Sequence, residues 1–238
     1  MSVEDQIKES LESKDVEKFR EIISRPKIYI NDALGNGILH YILEHHKDIP
    51  IGFIEALVEQ ETINVNKVHS ESGLAPLLCT DREDIQDLLL GNVKCDVNKI
   101  VNEQNMMCWA LDNNKLGLLK KLINHPYIDL LGDDDTNEEK NAFVQSMKNP
   151  EAFKLFLESP RVNVQDGVGW NGIIVPLEYS LKKRWIESTL LLLEKGANMN
   201  IQIDELTAAE MIIAMGNEPL IRFVIDNLDK VKKKILYC

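Results

Sequence analysis

A short segment ending in asparagine, or a close substitute, recurs along this chain at a nearly constant interval. Its six copies end at residues 31, 66, 98, 131, 165 and 200, and the best preserved read Ile-Asn-Val-Asn, Cys-Asp-Val-Asn and Ala-Asn-Met-Asn. The steps between those end residues are 35, 32, 33, 34 and 35. A period near 33 residues indicates one supersecondary unit stacked repeatedly. It predicts an extended binding surface rather than a single catalytic pocket.

Two helical patterns lie between successive copies of this strand-like segment, and the clearest pair runs from Val175 to Ala197. Pro176 suits the first turn of a helix, where its missing N–H costs nothing. Gly196 stands where a helix needs a left-handed residue to stop. The leucines 191–193 form with Ile186 a broad apolar face for burial against neighbouring repeats. Each repeat is therefore predicted to contain two packed helices.

This arrangement resembles the ankyrin repeat, most closely over residues 191–200, Leu-Leu-Leu-Glu-Lys-Gly-Ala-Asn-Met-Asn. The helix-opening signature of that family, Asp-x-x-Gly-x-Thr-Pro-Leu-His, is present in pieces at Asp32, Gly35, Leu39, His40, Gly73, Pro76, Leu77, Pro176, Leu177 and Thr207. The family's capping Thr is replaced by Gly37, Ala75, Asn105 and Val175, which predicts weaker helix caps. The resemblance covers residues 30–228 and implies an all-α, ankyrin-type helix-turn-helix solenoid with short finger hairpins.

The repeat positions predict one domain, 1–229, followed by a basic tail, 230–238. Residues 1–31 are expected to form an N-terminal capping pair, because Val3 to Ser24 reads as two amphipathic helices that stop before Pro26. The repeats are expected at 32–66, 67–98, 99–131, 132–165, 166–200 and 201–229.

Charge and composition restrict the partners and the compartment. The net charge is −12, from 27 basic and 39 acidic side chains, which argues against nucleic acid as a ligand. No apolar stretch approaches the ~18 residues of a membrane span, and the start of the chain lacks the pattern of a secretory signal. The four cysteines form no disulfide framework. We therefore expect a cytoplasmic monomer, compatible with nuclear entry, that binds neither membranes nor nucleic acid.

Catalytic, metal and cofactor sites are not expected. Adjacent His45 and His46 do not face one metal, and His40 occupies the position where the ankyrin resemblance implies a hydrogen bond to the loop backbone. The acidic run 133–135 lacks the ligand spacing of a calcium loop. The glycines of 167–172 lack the offset and the strand–helix context of a dinucleotide site. The chain is therefore predicted to be non-enzymatic, with no cofactor and no metal.

Comparison of the repeats yields a candidate binding surface. One position after the family's His, the repeats carry Tyr41, Cys79, Trp109, Phe143, Tyr179 and Met211. Equivalent residues of a solenoid form a ridge, so these side chains either present an aromatic stripe on the concave face or pack between inner helices as core. Both alternatives stay open from the sequence. Four charged or titratable residues are expected beside the ridge: Glu44, His45, Lys182 and Lys183.

Three more residues are expected at the finger tips: His69, Asp134 and Trp170. Trp170 stands in an enlarged finger, where it either anchors a partner or folds back on a neighbouring finger. The ankyrin resemblance implies a protein-interaction module, an adaptor or scaffold, that binds another protein through its concave groove and finger tips. The alternative is an acidic inhibitor or regulator that masks a basic segment of a transcription factor or enzyme.

Overall fold

A computed structural model of the chain describes residues 1–130, 141–165, 167 and 175–231. Helices dominate this part of the chain, and its β-structure is limited to two short hairpins. Among these residues no helix is long and apolar enough to cross a membrane. Internal contacts divide the chain into two compact units, Met1–Met106 and Met107–Cys238, which are described separately as unit one and unit two.

Unit one is built from two layers of helices. The outer helices α2, α4 and α5 pack side by side, α1 packs on α2, and the inner helix α3 packs on a 3₁₀ helix. Two helices, α1 and α2, occupy the region 1–31 for which a capping pair is predicted. The elements are α1 (Val3–Glu12), α2 (Val16–Ile23), α3 (Ile38–His45), α4 (Gly52–Val58), the 3₁₀ helix (Pro76–Cys79), α5 (Glu83–Leu90), β1 (Ile100–Val101) and β2 (Gln104–Asn105).

Unit two repeats the same plan. The outer helices α7, α9, α11 and α13 pack in sequence, and the inner helices α10 and α12 contact each other. Each of α8, α10 and α12 packs on the outer helix that follows it. The elements are α6 (Met106–Asp112, beginning at the last residue of unit one), α7 (Leu116–Asn124), α8 (Ala142–Ser146), α9 (Pro150–Glu158), α10 (Pro176–Lys183), α11 (Ile186–Glu194), β3 (Gln202–Ile203), β4 (Leu206–Thr207), α12 (Ala208–Met215) and α13 (Glu218–Asp226).

The N-terminal caps of the inner helices agree with the residue types found at the cap positions. Gly37, Ala75 and Val175 precede inner helices without a side-chain cap, as their residue types predict. Thr207, which keeps the family residue, forms a capping box with Glu210 at the start of α12. The inner helices are therefore unequally capped, and α12 is the best secured of those compared.

Large aromatic and aliphatic side chains fill the core of each unit. In unit one Phe19 of α2 and Phe53 of α4 have ring centroids 5.0 Å apart. In unit two Phe143 of α8 contacts Phe153 and Phe156 of α9, with ring centroids 5.3 and 5.8 Å apart. Phe143 is fully buried, so it belongs to the core and not to the predicted ridge.

The recurring asparagine segments are turns rather than the strands that their pattern suggested. In four copies an Asn or Asp stands two residues before the final residue of the segment. Its side-chain oxygen accepts the backbone N–H of that final residue and closes an Asx turn. These acceptors are Asn64, Asp96, Asn163 and Asn198, with N···O distances of 3.0, 3.1, 3.1 and 3.0 Å.

The final residue of the segment links one repeat to the next. The Asn31 amide donates to the carbonyl of Thr62 at 2.7 Å and accepts the N–H of Asn64 at 2.8 Å. Asn66 bonds in the same way to the carbonyl of Lys94 and the N–H of Asp96, at 2.6 and 2.8 Å. A carboxamide supplies both a donor and an acceptor, which explains why Asn recurs here. In unit two Gln165 makes the equivalent pair of bonds and Asn200 donates to Lys230.

Two of the predicted fingers are short antiparallel hairpins. In the first, Val101 pairs with Gln104 across a two-residue turn in which Asn102 and Glu103 have φ of 47° and 64°. Positive φ at both central residues gives the turn a twist that suits a hairpin. In the second, Ile203 pairs with Leu206. The expected all-α, ankyrin-type helix-turn-helix fold with short finger hairpins is thus confirmed within each unit.

Candidate functional site

The fourth residue of every described inner helix is half-buried, and we call this set of residues the ridge. It comprises Tyr41, Cys79, Trp109, Gln145, Tyr179 and Met211. Five of the six were predicted. The sixth is Gln145 rather than Phe143, because α8 begins at Ala142 and its fourth residue follows Phe143 by two positions. Asn141 caps α8 with its side chain, and recognising it as the N-cap would have predicted the start of the helix and hence Gln145 as its fourth residue.

In unit one the ridge residue Tyr41 lies in a group of aromatic and charged side chains. Its ring centroid is 4.7 Å from that of His45 and 5.7 Å from that of His46. The Lys8 ammonium from α1 lies 5.8 Å from the ring centroid, within reach of a cation–π contact. Burial, and next the neighbouring His45, lower the pKa of His46. The structure therefore brings predicted Tyr41 and His45 together and adds Lys8 and His46 to them.

In unit two the ridge residue Tyr179 is packed against one aromatic ring and one cation. The half-buried Trp185 ring meets it edge-on, with centroids 5.5 Å apart. The Lys183 ammonium lies over the Tyr179 ring at 5.2 Å from its centroid. Trp185 was not singled out by sequence comparison, since it precedes an outer helix and belongs to no repeated inner-helix position. The other predicted aromatic of this unit, Trp109, is half-buried in α6.

Lys182 is oriented by two carboxylates. Its ammonium lies 2.8 Å from Glu178 on the same helix and 3.4 Å from Asp204 in the finger that follows. These contacts, with the hydrogen bond to Glu178 first, raise the pKa of Lys182. Lys182 thus connects the inner helix α10 to the neighbouring finger, whereas Lys183 lies over Tyr179.

His69 lies inside its finger turn rather than at an exposed tip, which corrects the prediction made for it. Only 8% of its surface is accessible. Its Nδ1 accepts the backbone N–H groups of Glu71 and Ser72, both at 3.2 Å. Its Nε2 lies 3.1 Å from the Glu44 carboxylate. His69 and Glu44 are therefore together, as residues that hold the turn against α3.

His40 makes the hydrogen bond to loop backbone that the ankyrin resemblance implied. Its Nε2 lies 2.7 Å from the carbonyl oxygen of Lys67, which can only accept, so Nε2 carries the proton. Its Nδ1 is 3.7 Å from the Cys79 sulfur, and the Cys79 thiol also donates to the carbonyl oxygen of Ala75 at 3.5 Å. The His40 ring also contacts the His69 ring edge-on, with centroids 5.4 Å apart. Two histidines from different repeats thus meet, although they are distant in sequence.

The Cys79–His40 pair has the wrong electrostatics for nucleophilic chemistry. Burial, and next the Glu44 carboxylate, raise the pKa of the Cys79 thiol to about 12. Burial also lowers the pKa of His40. A nucleophilic cysteine needs a lowered pKa and a basic partner poised to charge. This pair instead stays neutral and acts as a hydrogen-bonded packing contact.

Two predicted contact residues, Asp134 and Trp170, lie outside the described residues, and so does most of the basic tail. Within the described ranges no group of three or more His, Cys, Asp or Glu side chains is arranged to hold a metal ion.

Comparisons with known proteins concern the fold alone. No family model matches the chain, and no curated protein sequence matches it. The crystal structure of EF0377, an ankyrin repeat protein, is similar over 94% of this chain and 98% of that one, with 17% identity and a TM-score of 0.48. A chain in the complex of the predatory endopeptidase Bd0816 from Bdellovibrio bacteriovorus with immunity protein Bd3460 is similar over 79% of this chain and 97% of that one, with 16% identity and a TM-score of 0.47. The helix pairs, hairpin fingers and carboxamide links described above make the chain an all-α repeat protein of the ankyrin-like fold.

Proposed function

We propose that the chain is a non-enzymatic protein-interaction module, an adaptor or scaffold, that binds a protein partner through the ridge on its inner helices. One observation carries the proposal: the ridge position is half-buried in every described inner helix, and three of its six residues are large aromatics. A half-buried aromatic ring is held on one side by its own fold and offers the other side to a partner. Such rings are frequent anchors of protein interfaces.

The surroundings of the ridge support binding rather than catalysis. Tyr41 and Tyr179 each carry a lysine ammonium near the ring, so charge and apolar area lie side by side. The neighbouring charges would select partners and fix their orientation. His40 and His69 are engaged with backbone and carboxylate, and burial raises the pKa of the Cys79 thiol to about 12, so the thiol is neutral. We further propose a cytoplasmic monomer that binds neither nucleic acid nor membranes.

A second candidate function is supported by the distribution of charge. Residues 1–106 contain 20 acidic and 11 basic side chains, a net charge of −9, so they carry most of the chain's −12. An acidic unit favours a basic segment of a transcription factor or enzyme as its ligand. Binding that weakens strongly with added salt would favour this regulator, and salt-insensitive binding would favour the aromatic ridge.

The ridge is tested with aromatic variants that have matched controls in the same unit. In unit two Trp109→Ala/Tyr179→Ala is compared with Tyr127→Ala, whose side chain is 80% exposed and lies outside the ridge. In unit one Tyr41→Ala is compared with Tyr29→Ala, which is 75% exposed. Thermal melting establishes that each variant is folded.

Quantitative mass spectrometry then identifies proteins that native chain and controls retain from a lysate and that the ridge variants lose. Direct titration of each such partner should show at least about a 30-fold loss of affinity per ridge anchor, which corresponds to roughly 2 kcal/mol. A partner that binds folded ridge variants and controls equally would refute the ridge as its site. Unfolding of the variants would assign the aromatics to the core.

A further inference from the structure

The outer layer of unit two carries a groove of about 460 Å³ between α11 and α13. Half-buried Leu190 and Phe223 line it with apolar surface. Exposed carboxylates border it, Glu194 from α11 and Glu218 and Asp226 from α13. Among the described residues one cation lines the groove, Arg222, and it pairs with Glu218 at 2.9 Å. Three carboxylates against one guanidinium leave the groove with a net charge of −2.

The sequence that follows unit two has the complementary chemistry. Residues 232–238 read Lys-Lys-Lys-Ile-Leu-Tyr-Cys and directly follow Val231, the last described residue. They contain the longest run of lysines in the chain, followed at once by three large apolar side chains. Cations followed by apolar groups match a groove with carboxylates at its edge and Leu and Phe along its base.

We propose that the segment 232–238 binds in the groove between α11 and α13 of its own chain. Its lysines lie beside Glu194 and Asp226, and its apolar residues cover Leu190 and Phe223. The groove belongs to the outer helices, whereas the ridge belongs to the inner ones. This inference is therefore independent of the proposed function.

The segment begins close to the groove and is long enough to follow it. Asn200 fixes the start by donating to the carbonyl of Lys230 at 2.8 Å, and Asn227 donates to the carbonyl of Phe223 at 2.9 Å. The nine residues of α13 extend over about 13 Å. Seven residues in extended form reach roughly 23 Å. The segment can therefore reverse direction after Val231 and still run along the whole helix.

Covalent attachment favours this occupant over free ones. A short flexible connection holds the segment at an effective concentration of about the millimolar order, so even weak contacts keep the groove occupied. A basic amphipathic segment from another protein would have to displace it. The groove is thereby reserved for ligands that bind more tightly than the chain's own lysines.

The proposal is tested in the full chain by a spin label on Cys238. Cys108 is buried, and burial raises the pKa of Cys79 to about 12 and of Cys95 to about 11. At neutral pH the Cys79 and Cys95 thiols are protonated and react slowly, and burial shields Cys108 from the reagent, so Cys238 is labelled first. Amide signals of Leu190 and Phe223 should lose at least half their intensity in the paramagnetic sample relative to the reduced one.

Two variants and one control separate this contact from chance proximity. Glu194→Gln/Asp226→Asn removes two groove charges, and replacement of lysines 232–234 by Glu reverses the charge of the segment. Both should restore the Leu190 and Phe223 signals. Glu187→Gln/Glu205→Gln removes two exposed charges of unit two outside the groove and should leave the broadening unchanged.

Three results would overturn the proposal. The first is the absence of broadening in the native chain, and the second is broadening that survives both charge variants. The third is broadening of an isotope-labelled chain by a separate spin-labelled chain at equal strength, which would assign the groove to the segment of a second copy. Broadening that is confined to the labelled chain and removed by both charge variants supports the proposal.

Discussion

Replacing Asn66 by Ala tests the physical reason for the recurring segment. The side chain of Asn66 makes two hydrogen bonds to the next repeat, donating to the carbonyl of Lys94 at 2.6 Å and accepting the N–H of Asp96 at 2.8 Å. A net hydrogen bond contributes about 0.5–1.5 kcal/mol, so two contribute roughly 1–3 kcal/mol. Because both lie near solvent, which replaces part of the loss, we expect a decrease of about 1.5 kcal/mol in the free energy of unfolding.

Asn64→Ala is the matched control for this substitution. Asn64 lies two residues earlier, and its side chain accepts only the N–H of Asn66 within its own turn, at 3.0 Å. Its removal should cost about 0.5–1 kcal/mol, the value of one exposed hydrogen bond. Urea unfolding compares the free energies of unfolding of the two variants. In thermal melting we expect the melting temperature of Asn66→Ala to fall by about 3–6 °C.

Hydrogen exchange locates the effect. The Asp96 amide should exchange at least roughly tenfold faster in Asn66→Ala, because its acceptor is gone, and should be unchanged in Asn64→Ala. Asn66→Asp keeps this acceptor but places a carboxylate against the Lys94 carbonyl, so it should destabilise the chain while Asp96 stays protected. If Asn64→Ala costs as much as Asn66→Ala, or if Asp96 exchange is unaffected, the carboxamide link does not join the repeats.

Three further substitutions test other contacts. Burial lowers the pKa of His40, so as the pH falls the unfolded chain takes up this proton before the folded chain does. The free energy of unfolding that is present above pH 6.5 should therefore decrease below that pH. Urea titrations at pH 7.5 and 5.5 should show a smaller decrease for His40→Gln than for the native chain. Gly73→Ala should lower the free energy of unfolding by about 1–3 kcal/mol, more than Gly196→Ala does. Both glycines have positive φ, but only at Gly73 would a Cβ meet a side chain of another finger, Asn102. Thermal melting of the two variants measures the difference. Thr207→Ala should lose about 1 kcal/mol of unfolding free energy, and Val175→Thr should gain a similar amount by adding a cap where none exists.

The repeat and its helices were predictable because they follow from period and residue type. Pro176 begins α10, Gly196 follows α11, and Thr207 caps α12, as their conformational preferences require. These preferences act within one repeat and need no knowledge of neighbours. The same holds for Val175, where the absence of a cap could be read from the residue alone.

Contacts between repeats were less predictable because they depend on which residues become neighbours. His40 and His69 are 29 positions apart, and only stacking of the finger on α3 brings their rings together. Phe143 was assigned to the ridge by alignment, but the helix begins at Ala142, which turns Phe143 into the core and places Gln145 on the ridge. A shift of two residues on a helix moves a side chain by about 200°, so a small alignment error exchanges surface for core.

The place of Gln145 on the ridge is expected to lower the stability of the chain, and the same Gln→Met substitution at Gln145 and at Gln86 tests this. Its amide nitrogen donates to Asp112 at 3.1 Å, but its buried Oε1 has no hydrogen-bond donor in the described part of the chain. A buried acceptor without a partner costs about 1–3 kcal/mol, more than the exposed bond to Asp112 returns. We therefore expect Gln145→Met to raise the free energy of unfolding by about 1 kcal/mol.

Gln86 provides the opposite case. It is 4% exposed, and its amide nitrogen donates to the carbonyl of Thr80 at 2.8 Å. Gln86→Met should lower the free energy of unfolding by about 1–3 kcal/mol, because it leaves that carbonyl without its donor. Urea unfolding of both variants measures the two signs, and a loss of stability in Gln145→Met as large as that in Gln86→Met would refute the argument. A stabilising Gln145→Met that also weakens partner binding would mean that this ridge position is held polar for recognition at the expense of stability.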